Sequence, residues 1–382
     1  LEVLKPIPLS LYIHWPWCLK KCPYCDFNSH GVKGEIPEQR YTEAICRSMR
    51  EQAQFAADRP LETVFFGGGT PSLMLAESLE KILACADETF GLVSGAEITL
   101  ESNPGTFELA KFKDFKSAGV NRLSLGVQSF EDQKLRSLGR VHNAREAKEA
   151  ALGVREIFDN FNLDLMFGLP NQSLEDLKQE LAFIAQIDPP HLSYYQLTLE
   201  PNTYFAKYPP EGIPNEDTLE DMTELIAQYT TDLALEHYEV SAYAKSGHRC
   251  RHNLNYWGFG DYLAVGPGAH GKYSHDKEIH RFYNYRDPAR WLLCQNRGES
   301  FVSHTEKVPS EAIPFEFMLN VLRLRDGVPR DYWEQRAFVS WSEVEPVWRV
   351  LEKDGLVEDP KKRIFCTEKG WRYLNEVLEA FL

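Results

Sequence analysis

Leu9-Ser10-Leu11-Tyr12-Ile13-His14-Trp15 runs through Pro16-Trp17 into Cys18-Leu19-Lys20-Lys21-Cys22-Pro23-Tyr24-Cys25. The first seven residues are mostly apolar or aromatic, and such a short run reads as a strand. The cysteines then lie on a loop at that strand's carboxyl end. Offsets of four and seven also fit one face of a helix, but Pro16 and Pro23 argue against a regular helix there. Structural zinc wants four ligands, and no fourth cysteine is near, although His14 and His30 could complete such a set. Three thiolates on a compact loop suit an iron–sulfur cubane that leaves one iron open to chelation by a substrate.

Outward from this loop, short apolar runs alternate with helix-like stretches. Strands are expected at Leu9–Trp15, Thr63–Gly67, Glu97–Glu101, Arg122–Gln128, Asn162–Phe167 and His191–Thr198. Helices are expected near 38–56, 77–90, 106–118, 142–157, 174–187 and 216–236. Ser173-Leu174-Glu175-Asp176 supplies a cap residue followed by first-turn acids. Six strand–helix repeats predict parallel strands with right-handed crossovers, an α/β fold of partial (β/α)6 TIM-like barrel type. An open doubly wound sheet is the rival arrangement. In both, function belongs at the carboxyl ends of the strands.

The rhythm changes after about residue 237. The expected division is a barrel over 1–237, an aromatic and His-rich segment over 238–305 that extends it, and a smaller α+β domain over 306–382. That last part reads as helix, helix, two short strands (Leu356–Glu358 and Arg363–Cys366) and a final helix, the order of a winged-helix module. From Ser310 to Leu382 there are 11 Lys and Arg against 14 Asp and Glu. That balance makes DNA binding a weak reading and packing or partner contact the better one.

The whole chain, 382 residues with a formal net charge of −15, is too acidic for sequence-independent nucleic-acid binding. No apolar run reaches the length of a membrane span. Leu1 to Ser10 lacks the charged start and long apolar stretch of a signal peptide. Five of the eight cysteines (Cys46, Cys85, Cys250, Cys294, Cys366) are scattered through the chain. They do not suggest a disulfide framework, and the expected location is the reducing cytoplasm.

Cys-x3-Cys-x2-Cys with an aromatic before the last Cys resembles the cluster motif of radical S-adenosylmethionine (SAM) enzymes. Tyr12 to Cys18 and Phe66-Gly67-Gly68-Gly69-Thr70-Pro71 are similar to the oxygen-independent coproporphyrinogen III oxidase branch of that superfamily. So are Leu100-Glu101-Ser102-Asn103-Pro104, Gly126-Val127-Gln128-Ser129-Phe130 and Asp164-Leu165-Met166-Phe167-Gly168-Leu169-Pro170. Two features depart from the oxidase. Phe27 stands where it has a further Cys, and only 17 residues precede Cys18. Both departures, and His252-Asn253-Leu254-Asn255-Tyr256-Trp257, resemble the HemW-type heme chaperones.

The resemblance implies a [4Fe–4S] cluster on Cys18, Cys22 and Cys25, with S-adenosylmethionine chelating the open iron. Gly68, Gly69 and Thr70 would approach that ligand closely. Glu101, Gln128, Arg140 and Asp164 would bond its amino-acid and ribose parts, and Tyr12 and Tyr24 would flank its adenine. Heme is the implied cargo, with His252, Asn253, Tyr256 and Trp257 as candidates to hold it. His252 is the preferred ligand in a stretch that also holds Cys250, His270, His275 and His280. Client hemoproteins or respiratory-chain components are the implied partners, with an electron donor if the cluster is redox-active. A homodimer is left open. The competing hypotheses are coproporphyrinogen III oxidation, or another porphyrin reaction, and a winged-helix regulator that senses its cluster.

Overall fold

The computed structural model describes residues 6–382. The first five residues of the N-terminal stretch read above lie outside the described residues. Twelve strands form one sheet. In chain order they are β1 (Leu9–Trp15), β2 (Leu61–Gly68), β3 (Leu92–Ser102), β4 (Arg122–Gln128), β5 (Phe161–Phe167), β6 (His191–Gln196), β7 (Glu236–Glu239), β8 (Ala242–Ala244), β9 (Asp261–Val265), β10 (His270–His275), β11 (Glu278–Asn284) and β12 (Val302–Lys307).

Strands β1 to β6 are neighbours in sequence order and all run parallel. This is the winding of a barrel, and it excludes the reversal of order that defines a doubly wound sheet. Helices Glu38–Gln52, Ala76–Phe90, Thr106–Ser117, Ala144–Ile157 and Leu174–Ile187 make the crossovers, and Glu216–Asp232 follows β6. Ser173 accepts from the Asp176 N–H and Asp176 accepts in return, the reciprocal cap expected there. Asn143 and Glu146 repeat the device.

Strand β9 then returns to lie parallel to β1 on its free side, and β10, β11 and β12 continue antiparallel from it. At the far edge β8 pairs antiparallel with β6 and with β7. The sheet is therefore an open partial barrel with antiparallel extensions at both ends.

Alternation along the six parallel strands separates two faces. Leu11, Ile13, Val64, Phe66, Leu123, Leu125, Leu163 and Leu165 point outward into the main core. There they meet Ile45, Met49, Leu79, Ile82, Ala147, Leu177 and Leu181 of the helices. The inner face carries Tyr12, His14, Arg122, Ser124, Asn162, Asp164, His191 and Ser193, which line open space. Parallel strands are ordinarily apolar on both faces. A polar inner face marks a lumen built to hold something other than core.

A second core gathers Phe317, Trp333, Trp348, Val377 and Phe381 with Tyr238, Phe259 and Ile279. The expected pair of short strands near 356–366 is reduced to a bridge between Val357 and Cys366. Arg363–Ile364 pairs instead with Val328–Pro329, a strand the sequence reading did not anticipate.

Candidate functional site

The cysteine loop caps the carboxyl ends of β1 and β2. Gly69 N–H donates to Trp15 O at 2.6 Å and Thr70 N–H to Trp17 O at 2.8 Å, so the glycine run grips the backbone just before Cys18. Cys18, Cys22 and Cys25 ring one cavity of about 430 Å³. Burial, opposed by hydrogen bonding to Thr70, raises the Cys18 thiol above its usual range, and the nearby Cys25 and Cys22 add to the rise. Arg140 ties this loop to the sheet. Its guanidinium donates to Asn103 Oδ1 at 2.5 Å and Gly126 O at 2.9 Å, and approaches Cys22 Sγ at 3.6 Å and Tyr24 Oη at 3.5 Å. Its Nε is buried without a partner.

Gly68, Gly69, Thr70, Glu101, Gln128, Arg140, Asp164 and Tyr24 all line the same cavity. Gly68, Gly69, Thr70, Glu101 and Gln128 sit at or just beyond the ends of β2, β3 and β4, so convergence at successive strand ends is present there, whereas Asp164 lies midway along β5 and Arg140 follows the helix Asp132–Ser137. Gln128 holds a left-handed φ of 67° at a register shift in β4. That conformation is uncommon for a residue with a side chain. Glu101 accepts from the Gly68 N–H at 3.1 Å. Burial, with the Asp164 charge adding, pushes its carboxyl up to about 8. Burial likewise raises Asp164, against donors Ser124, Asn162 and Ser193.

Tyr12 departs from expectation. Its hydroxyl is hydrogen-bonded to His14 Nδ1 at 2.9 Å. It lines a second cavity, of about 480 Å³, while Tyr24 lines the first. The two tyrosines do not form one sandwich, because Tyr12 lies deep on the inner face of β1 and Tyr24 lies on the loop above. The zinc alternative fares no better. His14 spends its second nitrogen on Asn28 O at 3.0 Å. Among the described residues, no three His, Cys, Asp or Glu side chains are placed to hold a single metal ion. A cubane takes its thiolates on separate irons, hence further apart. The orphaned Arg140 Nε fits a close-lying polar ligand, while the space beside Gly69 is taken by the Trp17 carbonyl, 2.6 Å from where a Cβ would stand.

The second cavity runs down the inner face and shares Phe27, Gly68, Glu101, Ser124, Asp164 and Tyr195 with the first. Its walls include Tyr12, Phe65, Tyr256 and Tyr262. His252 and Asn253 reach it from helix Arg251–Trp257, whose first N–H groups are anchored on Glu97. His252 is nevertheless occupied. Thr63 donates its one hydroxyl proton to Ser10 at 2.8 Å, so His252 Nδ1, 2.7 Å away, must donate to Thr63. Nε2 then accepts from Tyr256 Oη at 3.2 Å. Burial lowers this imidazole to about 3, so it is neutral. The preferred heme ligand of the sequence reading therefore serves as a structural brace. Trp257 turns away from the cavity to pack against the second core, under the Arg323 guanidinium at 4.3 Å. His270, at the start of β10, lines the same cavity. Among the described residues its ring makes an edge contact with Tyr283 and no hydrogen bond.

Sequence reading missed Arg122, Ser124, Asn162, His191 and Ser193, all on this inner face. The signal was present in Arg122-Leu123-Ser124-Leu125-Gly126-Val127-Gln128 and Asn162-Leu163-Asp164-Leu165, where polar and apolar residues alternate in strands expected to be apolar on both faces.

Comparison with known proteins places the chain in a family. The radical SAM superfamily model matches residues 12–184, and the HemN C-terminal domain model matches 308–373. The chain is 46% identical to the heme chaperone HemW of Haemophilus influenzae, over 98% of each chain. It is 43% identical to that of Escherichia coli over the full length of both. The solved structure of Escherichia coli coproporphyrinogen III oxidase (HemN) superposes with a TM-score of 0.82 at 22% identity, covering 98% of this chain and 90% of that one. At that identity the likeness is one of fold.

Proposed function

The chain belongs to the family of the heme chaperone HemW, and on that premise we propose that it binds heme beside its cysteine loop and passes it to client hemoproteins. The observation that carries the reading is the shared wall. A cavity ringed by three thiols and a cavity walled by aromatic rings meet at Glu101 and Asp164. An aromatic cavity suits the faces of a porphyrin.

On this reading Cys18, Cys22 and Cys25 hold a [4Fe–4S] cluster. Gly68, Gly69, Thr70, Glu101, Gln128, Arg140, Asp164 and Tyr24 hold S-adenosylmethionine next to it. When bound, that pair supplies one-electron chemistry. The chain's own residues do the positioning. Arg140 fixes the loop against β4, Glu101 presents a carboxyl that a cationic amino group would draw into its ionised form, and the glycines let the loop backbone pack closely beside the ligand. His270 is assigned as the axial heme ligand in preference to His252, because its ring is not held by hydrogen bonds. Tyr12, Asn253 and Tyr256 shape the heme cavity, and Trp257 steadies it from behind. Phe27 puts a ring rather than a thiol in the shared wall, which favours carriage over conversion. Among the described residues no helix is long and apolar enough to cross a membrane. Free thiolates are needed to grip the cluster, which favours a reducing compartment such as the cytoplasm.

One anaerobic preparation, supplied with iron and sulfide, tests this. Divided between a heme titration and a turnover assay with coproporphyrinogen III, S-adenosylmethionine and a reductant, it is expected to bind heme and form no oxidised product. Turnover without stable heme binding would replace the chaperone reading with the oxidase one.

A further inference from the structure

The deep end of the second cavity holds a buried cation that feels the charges of Glu97 and Asp164 but makes no hydrogen bond to either. Arg122 opens β4, points to the inner face and is 2% exposed. Its guanidinium makes no hydrogen bond and no ion pair among the described residues, and its Nε is buried unsatisfied. Buried charges are ordinarily paired.

The neighbours that could satisfy it are committed elsewhere. Glu97 accepts from the Arg251 and His252 N–H groups, each at 3.0 Å, and faces Cys250 Sγ at 3.7 Å. Asp164 accepts from Ser124 Oγ and Asn162 Nδ2, each at 2.8 Å. Asn162 gives its other amide hydrogen to Ser124 at 2.7 Å. Its oxygen accepts from Ser193 at 3.1 Å and is 2.6 Å from His191 Nδ1. The far side of His191 is taken by Tyr238 at 2.8 Å. In this layer the guanidinium and the neighbouring Thr99 hydroxyl lack a hydrogen-bond partner among the described residues, and the other groups named here are satisfied.

We propose that Arg122 is the receptor for a carboxylate carried into the lumen by a small-molecule ligand. A planar fork of donors matches a carboxylate in two parallel bonds. A ligand so anchored lies with its body along Ser124 and Asp164, toward Glu101 and the cysteine loop. The reading above, on which the choice of probe rests, supplies such a carboxylate in a heme propionate.

The test measures binding by titration in the full-length protein, wild type, Arg122→Gln and Arg122→Lys, with heme and with its dimethyl ester. Arg122→Gln is expected to lose about ten- to hundredfold in affinity for heme. It should leave the affinity for the ester unchanged. Arg122→Lys, which keeps the charge and the lumen's balance, should lose less. Unchanged heme affinity in Arg122→Gln, or equal losses for heme and ester, would overturn the proposal. If Arg122→Gln does not fold, the decision passes to Arg122→Lys and to the wild type. Equal wild-type affinity for heme and ester would then overturn the proposal as well. Wild-type protein that binds neither heme nor its ester overturns the heme reading itself, whereas wild type that binds both alike overturns the role of Arg122 alone.

Discussion

The Gly68 N–H donates to the Glu101 carboxylate at 3.1 Å, joining the carboxyl ends of β2 and β3 across the mouth of the cysteine-lined cavity. That single donor does not offset burial and the nearby Asp164, which push the Glu101 carboxyl up to about 8 from the ordinary 4.5. Ionising Glu101 therefore costs the folded state more than the unfolded chain. Its contribution to stability is intact below about 4.5 and is lost as pH rises to about 8. Thermal melting of the cofactor-free protein should show a fall across that window. In Glu101→Gln the fall should be clearly shallower, and a slope identical to wild type would refute the assignment.

Cys18, Cys22 and Cys25 share a cavity, whereas Cys250 lies buried against Glu97. Burial pushes the Cys250 thiol up to about 12. After anaerobic treatment with iron and sulfide, Cys18→Ser, Cys22→Ser and Cys25→Ser should each lose most of the cluster absorbance. Cys250→Ser should keep it and keep the Glu97 contact through its hydroxyl. Cluster loss in Cys250→Ser would move the metal centre to the wrong place in the lumen.

Gly69 is squeezed between backbone atoms. A Cβ there would lie 2.6 Å from Trp17 O and 2.9 Å from Trp15 O, and neither can swing aside as a side chain would. Gly69→Ala should cost about 2–3 kcal/mol. It should also lower cluster occupancy, because relief requires moving the segment that enters Cys18. Gly31 pairs with Cys18 but has nothing within 4 Å of its own Cβ position. Gly31→Ala is the matched control, expected to melt and load like wild type.

The parallel strands and their helices were legible because each obeys a local rule. Leu9–Trp15 and Arg122–Gln128 occur as expected, and the helix after Ser173 starts where its cap predicts. β3 extends back to Leu92 because Leu61 pairs with Leu92 despite the exposed Ser94 and Gly95, a long-range pairing no local pattern encodes. The return of β9 to the free edge of β1 is likewise tertiary. At the site, the cysteines, glycines and strand-end acids carried their own chemistry. Arg122 and His191 did not stand out, since a single polar residue in a strand is read as surface until the topology folds that face inward. His252 misled for the opposite reason. Its motif marks a place the fold needs, and the Thr63 and Tyr256 that occupy its ring are 189 and 4 residues away.

His252 and His270 can therefore be separated by what each substitution damages. His252→Ala removes a buried brace between Thr63 and Tyr256, leaving the Tyr256 hydroxyl without a partner and Thr63 with Ser10 alone, at a cost of about 1–3 kcal/mol. His270 lines the same cavity from an exposed position, and its loss breaks no hydrogen bond among the described residues. His270→Ala should melt like wild type yet shift the Soret band of bound heme and weaken its binding. His252→Ala should melt earlier yet, where folded, give the wild-type Soret position. The band reports the iron's axial ligand directly, so the reverse pattern would return the ligand to His252. It would also require Tyr256 to release Nε2 when heme enters, a rearrangement that a structure of the heme-bound protein would display.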